Sequence, residues 1–283
     1  MALVELSISK RVAEVTLNRP EKLNALTVEM FTEFDKIMAR CRDDPNVSCV
    51  LIAGAGKAFC VGYDILGPRW GSDSIYDDWA RLTANTDRWL ALWDFPKPIV
   101  TAVHGYCFTV ALFFIFCTDV TVAADDLIIS VARAPISGAG WMTPIATLAI
   151  GMKKARELTM TRGSQLTGKE AHAAGLVNYS VEASGVLERA RELATAISRT
   201  PLDLLVLNKR AANRTMERLG YREALTGGIE FNTLSHFSRS ASYIRAKVKE
   251  LGIKGAIEWW DGGGTLDPAF AADEVPPATA AAS

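Results

Sequence analysis

Residues 104–119 read HGYCFTVALFFIFCTD, with no acid or base between the histidine and the closing aspartate. Widened to 98–118, the stretch still contains no Asp, Glu, Lys or Arg, and about 20 such residues are enough to span a bilayer. Two features oppose that reading. The stretch opens with IVTAVHG, a β-branched run that fits a short buried strand, and His104-Gly105 then separates it from the helical pattern FTVALFFIFC. It also closes at Asp119 without the basic flank or the interfacial Trp and Tyr that anchor a span. No membrane segment is expected, and what this turn and helix carry decides the functional reading.

Outward from that stretch, strand-like and helix-like segments alternate. ALVELSIS and RVAEVTLN, separated by Lys10, predict an opening hairpin. Val28, Phe31, Phe34, Ile37 and Met38 recur at helical spacing over 27–42, with Glu29 and Glu33 early and Arg40 and Arg42 late, as a helix dipole favours. VSCVLIAG predicts a buried strand followed by the loop GAGKAFCVGYD; a helix is expected over 76–93, then PIVTAV, DVTVAA and LIISVA as strands. Such alternation argues an α/β architecture with at least part of the sheet parallel. From Gly151 the pattern turns helical, over 153–161, 167–174 (opened by the capping box Thr167-x-x-Glu170), 185–199, 202–216 and 222–251, with breaks expected at Pro201 and at Gly227-Gly228. LVNYSV fits a brief strand. The expected organisation is an α/β core over 1–195, a helical C-terminal region over 196–262, and a tail over 263–283 whose composition cannot bury enough apolar surface to fold by itself.

The 283 residues are 49% apolar and 22% charged with a formal net charge of −1, the profile of a globular domain with no charge excess that points to nucleic acid. Any anionic ligand must be met locally. Cys41, Cys49, Cys60, Cys107 and Cys117 form no C-x-x-C pair and have no histidine at metal-ligand spacing, so neither a metal nor a disulfide scaffold is expected. They read as small buried hydrophobes in a reducing compartment. The N-terminal MALVELSISK places Glu5 and Lys10 where a signal peptide needs an unbroken apolar run, and a cytoplasmic protein is expected.

Chemistry concentrates in two turns. GAGKAFCVGYDI, 54–65, follows a buried strand, and its glycines allow successive N–H groups to face one concave site. NRPEKLNALTVEM precedes it, KPIVTAVHGY follows, and TGKEAHAAGLVN comes later. In order and spacing these blocks resemble the enoyl-CoA hydratase/isomerase family, the crotonase superfamily. The matching residues are Asn18-Arg19-Pro20 to Leu26, Ala58 to Asp64, Lys97-Pro98 to Gly105, Asp119, and Glu170-Ala171 to Gly175-Leu176-Val177.

The resemblance implies a spiral of β-β-α units with a helical C-terminal trimerisation region, assembly as a homotrimer or hexamer, and an acyl-CoA substrate, with coenzyme A as part of that substrate and no separate cofactor. It implies a hole for the thioester oxygen formed by the backbone N–H of Tyr63 and, at the matching later position, that of Val110. Two fixed donors would there stabilise an enolate or tetrahedral oxyanion, each by roughly 3 kcal/mol. It also implies that coenzyme A lies along Lys22, Ala25, Leu26, Ala58, Val61 and Gly62, with phosphates near Lys22 and Lys57, and that Asp64, Ile65 and Phe113 border the substrate.

The sequence departs from the family in its catalytic acids. Three glycines usual after G-Y-x-x are here Thr109, Val110 and Ala111, and the glutamate two positions on is Phe113. A second family glutamate, about fourteen residues past the aspartate, falls at Arg133 in a segment some three residues short, and no carboxylate occurs between Asp126 and Glu157. Hydration needs a base for the water and an acid for the α-carbon, so a poor hydratase is expected. Stand-ins considered are the Tyr63 phenol, Asp64, Asp73, Asp77, Asp78, His104 and Arg133, with aromatic packing, helix-capping or ion pairing as the competing role of each; His236 is expected at a surface or interface. Two functions remain: an enzyme of another enolate-based reaction, lyase or isomerase, or a catalytically silent binding or assembly subunit.

Overall fold

The computed structural model describes residues 2–64, 74–131 and 140–264. Strands β1 (Val4–Ser9) and β2 (Val12–Leu17) form the expected hairpin, turning through Lys10 and Arg11 at φ 49° and 63°, the left-handed pair that a two-residue hairpin turn needs. Next come α1 (Val28–Asp43), β3 (Cys49–Gly54), α2 (Ile75–Trp93) and β4 (Ile99–Val103). Helix α1 starts where the Thr27 side chain accepts the Met30 N–H, and α2 where Ser74 accepts that of Asp77, each satisfying an N-terminal donor that the helix cannot.

The opening stretch then resolves into three pieces: β5 (Tyr106–Phe108), a 3-10 turn over Thr109–Leu112, and the single-turn helix α3 (Phe113–Phe116). The continuous helix expected there is therefore shorter and tighter than its apolar pattern suggests, because Thr109 stands at φ 51° and the chain turns before an α-helix can begin. No helix among the described residues is long and apolar enough to cross a membrane. The chain continues through β6 (Val120–Ala124), β7 (Ile128–Ser130), α4 (Thr143–Ile150), α5 (Met152–Met160), β8 (Leu166–Thr167), α6 (Gly168–Ala173) and β9 (Tyr179–Val181). It ends in α7 (Val186–Ser198), α8 (Leu202–Arg218), α9 (Tyr221–His236) and α10 (Arg239–Asp261), the last interrupted at Gly252.

Among the described residues, one sheet has the order β1-β2-β3-β4-β6-β9, parallel from β2 onward, and a second has the order β5-β7-β8. The repeat behind the spiral is visible in how these sheets alternate. Strand β4 leads into β5 and α3, and β6 into β7 and α4; β3 leads into Cys60, which bridges to Cys107 of β5, and then toward α2. A row of buried side chains crosses the second sheet from Cys60 through Cys107 and Ile129 to Leu166. All five cysteines are buried and free, as expected of small hydrophobes.

Helix α7 packs on β3, β4 and β6 along its run to Ser198, and one C-terminal detail differs from the sequence reading. Gly227-Gly228 does not break a helix but lies inside α9; a Cβ on Gly228 would stand 2.3 Å from the Trp141 carbonyl oxygen, so the glycine permits close approach rather than a bend. The break falls instead at Phe237, after which Ser238 caps α10 through the Ala241 N–H.

Candidate functional site

The segment 18–26 and the Gly-rich loop 54–64 are joined by one buried side chain. Leu23 and Asn24 both take left-handed backbone (φ 50° and 55°), a conformation asparagine tolerates better than most residues. This aims the Asn24 carboxamide at the second loop. Its Nδ2 donates to the carbonyls of Ala55, Ala58 and Phe59 at 2.9, 2.9 and 3.1 Å, while its Oδ1 accepts the Arg19 N–H. Arg19 in turn reaches Asp64 Oδ2 at 2.7 Å and the Ala25 carbonyl. Asp64 thus helps hold the segment and the loop together. Ala25, Leu26 and Ala58 are buried, Val61 is half-buried, and Lys22 and Lys57 are exposed at the rim.

The orientation of Tyr63 follows from its neighbours. Leu26 donates to the Gly62 carbonyl (2.8 Å) and accepts from the Asp64 N–H (2.9 Å). A trans peptide points its C=O and N–H in opposite directions, so the Tyr63 N–H, on the same peptide as the Gly62 carbonyl, faces away from Leu26. On the later turn Val110 is the second residue of the 3-10 helix, where the helix supplies no acceptor for its N–H. The turns meet at Gly62, φ 91°, where a Cβ would lie 2.1 Å from Thr109 Oγ1. Thr109 is itself β-branched and left-handed, a placement that costs about 1–2 kcal/mol.

Behind the turns stands an aromatic wall in place of acids. Phe113 is 0% exposed; its ring stacks on Trp89 with centroids 5.3 Å apart and packs on Trp141 at 5.0 Å. Trp89 also packs edge-on against Phe31, whose ring meets Tyr63 at 5.9 Å. Within this wall the Tyr63 hydroxyl, Trp89 Nε1, Trp141 Nε1 and Arg81 Nε are buried and find no hydrogen-bond partner among the described residues. Each such group ordinarily costs about 1–3 kcal/mol. The Trp89 indole N–H does favour the Tyr63 oxygen as a hydrogen-bond donor would, though short of full hydrogen-bond geometry. Burial pushes the phenol well above its ordinary range, with Arg81 and Arg88 opposing that shift, so Tyr63 is a protonated donor. Burial likewise pushes the Cys60 thiol up to about 12, which removes it as a nucleophile.

One acid does enter this region. Asp78, 1% exposed, accepts Arg81 Nη2 at 2.6 Å through Oδ1 and contacts His236 Nδ1 at 2.8 Å through Oδ2, tying α2 to α9. Asp78 corrects the sequence reading, being no solvated helix-cap acid, and His236 lies at the contact of α9 with α2. Asp77 does cap, bonding Ser74. The signal was available, since Asp78 sits on the same stripe of α2 as buried Leu82, Thr86 and Trp89, and an acid on an apolar stripe needs a partner. His104 binds the Gly56 carbonyl at 2.9 Å. Arg133, Ile65 and Asp73 lie outside the described residues. Grooves elsewhere, such as one lined by Lys10, Arg11 and Arg199, include neither Tyr63 nor Val110.

The sequence profile of the enoyl-CoA hydratase/isomerase family matches residues 7–242. The chain is 32% identical over 215 residues to "Probable enoyl-CoA hydratase echA8" of Mycobacterium tuberculosis, covering 74% of this chain and 80% of that protein. It is 31% identical over 231 residues to "Probable enoyl-CoA hydratase, mitochondrial" of Dictyostelium discoideum, covering 78% and 77%. The crystal structure of an enoyl-CoA hydratase/isomerase from Xanthobacter autotrophicus Py2 superposes with a TM-score of 0.83 at 27% identity, covering 92% of this chain and 97% of that one. With a profile that spans most of the chain, and the two turns and alternating sheets in place, the chain belongs to the enoyl-CoA hydratase/isomerase family, the crotonase superfamily.

Proposed function

We propose that the protein binds an acyl-CoA thioester and turns it over through an enolate or oxyanion, with little or no true hydratase activity. The N–H groups of Tyr63 and Val110 hold the thioester oxygen; as negative charge develops, each stabilises it by roughly 3 kcal/mol. Coenzyme A runs along Lys22, Ala25, Leu26, Ala58, Val61 and Gly62, its phosphates near Lys22 and Lys57, with Asp64 bracing the loop. Ile65 and Arg133 belong to the same proposed site. No cofactor is invoked beyond the coenzyme A of the substrate, and assembly as a homotrimer or hexamer in the cytoplasm belongs to the same reading.

One observation carries the low hydratase activity: Phe113, at the position where the family usually has a glutamate, is fully buried against Trp89 and Trp141. A phenyl ring there neither takes a proton from water nor gives one to the α-carbon. Isomerisation, decarboxylation or C–C cleavage use the same enolate with fewer acids. Thr109 favours a second reading, a silent binding or assembly subunit, because its side chain presses on Gly62 beside the proposed hole. Calorimetric titration with acyl-CoA esters and free coenzyme A separates the two. Binding of the esters in the micromolar range is expected; no heat at millimolar ligand would leave only the silent subunit.

A further inference from the structure

The unpartnered donors behind the proposed thioester hole form a group rather than a scatter. Tyr63 and Trp89 flank the Phe31 ring, and the Tyr63 hydroxyl feels both the Trp89 indole and the Arg81 guanidinium. Trp89 is 1% exposed. Its Nε1, the Tyr63 hydroxyl and Arg81 Nε all lack an acceptor among the described residues. Among the described residues the one buried acid nearby is spoken for, because Asp78 engages Arg81 Nη2 with one oxygen and His236 Nδ1 with the other. That ion pair also holds Arg81 in place while leaving its Nε to point elsewhere.

The set carries more donors than acceptors. An indole N–H and an arginine Nε only donate, while the protonated phenol donates its O–H and offers its oxygen to the Trp89 indole. Donors buried in an apolar wall call for a group that brings lone pairs, since a hydrocarbon chain would leave them unsatisfied in the complex too. Tyr63 belongs to both parts of the site: its main-chain N–H serves the proposed hole and its hydroxyl serves this cluster. The second oxygen must therefore lie within one side chain's length of the thioester.

We propose that Tyr63, Arg81 and Trp89 recognise an oxygen on the acyl group beyond the thioester carbonyl, making the substrate class short oxoacyl- or carboxyacyl-CoA esters rather than plain alkyl ones. This rests on the thioester reading above. The shared chemistry is an sp² oxygen acceptor, and the two sources, ketone and carboxylate, are distinguished by experiment.

The test is calorimetric titration of the full chain with butyryl-, acetoacetyl- and succinyl-CoA, which share a four-carbon acyl group and differ in that oxygen. Acetoacetyl- or succinyl-CoA is expected to bind at least about tenfold more tightly than butyryl-CoA, as a site built to hydrogen-bond its ligand discriminates against the analogue lacking the group. In Tyr63→Phe and Arg81→Met that ratio is expected to fall toward one, the succinyl arm responding most to Arg81→Met if the source is a carboxylate. Tyr63→Phe removes a buried hydroxyl without a partner, so the ligand-free melting temperature is expected to hold or rise; should Arg81→Met fail to fold, the ratio is read from Tyr63→Phe alone. Equal or tighter binding of butyryl-CoA, or a preference that survives in the variants, overturns the inference. If none of the three esters binds, the thioester reading itself falls and takes this inference with it.

Discussion

The Phe113 ring lies on the Trp89 indole with 5.3 Å between centroids and 21° between planes. That stack fills the corner where the resemblance expects a carboxylate, and it bears on stability as well as chemistry. Truncation in Phe113→Ala is expected to cost about 3–5 kcal/mol in urea unfolding. Phe113→Glu is expected to be at least as damaging, because a carboxyl group would be buried against Trp89 and Trp141 with no cation supplied. A Glu variant as stable as the parent would show that the corner is wet.

Gly62 and Thr109 are coupled by contact. A Cβ at Gly62 would lie 2.1 Å from Thr109 Oγ1 and 3.1 Å from the Phe108 carbonyl oxygen, on a backbone at φ 91°. Gly62→Ala is therefore expected to destabilise by roughly 2–4 kcal/mol, from overpacking together with left-handed strain. Adding Thr109→Gly is expected to recover part of that loss, since it removes the clash but not the strain at residue 62. Strict additivity of the two changes in a double-mutant cycle would argue against the contact.

Breaking the link between α2 and α9 has a predictable cost. In Asp78→Ala the arginine and histidine facing the acid lose their partner in a largely buried setting. Removal of one member of a buried pair costs about 3–5 kcal/mol; Arg81 is 31% exposed along its side chain, which reduces the expectation to roughly 2–3 kcal/mol. Chemical unfolding measures it, and a change below about 0.5 kcal/mol would show that water already satisfies the pair.

Acid stability should register the cap of α6. Hydrogen bonds from the Thr167 backbone and side chain hold the Glu170 carboxyl below its ordinary range. A carboxyl with a depressed folded value contributes stability that is complete above the unfolded value, about 4.3, and is lost as pH falls through the folded one. Glu170→Gln keeps an acceptor in the cap but loses the charge, so the variant is expected to be somewhat less stable at neutral pH and to show a shallower loss of stability below about pH 4.3, the two proteins converging in acid. An identical acid limb in both proteins would contradict the assignment.

Thiol chemistry offers a separate check on the core. Burial pushes Cys41 up to about 11 and Cys49 and Cys60 to about 12. In the native protein iodoacetamide at pH 8 is expected to label none of the five cysteines quickly, and all five after unfolding. Fast native labelling of Cys60 would mean that the loop beside Tyr63 opens.

The fold was legible in the sequence because its motifs sit where the backbone does something only certain residues permit. Gly62 at φ 91°, Asn24 at φ 55° and the Thr167–Glu170 capping box each leave a local signature. The α/β alternation was equally plain. What escaped were relations across long separations. Nothing local couples Asp78 to His236, 158 residues away, and a Gly-Gly pair signals a break unless the Trp141 backbone packed against it is known. The turns that carry Tyr63 and Val110 were legible as backbone, but the aromatic wall behind them draws on α1, α2, α3 and Trp141 and appears only on folding.

The most direct measurement is the rate of crotonyl-CoA hydration, followed by loss of the enoyl absorbance, beside a family hydratase that carries both glutamates. Losing acid–base assistance removes about 10²–10⁴-fold in rate, so turnover here is expected to fall at least a hundredfold short while acyl-CoA esters still bind. Turnover within about tenfold of that enzyme would contradict it, because some other acid and base would then have to reach the substrate.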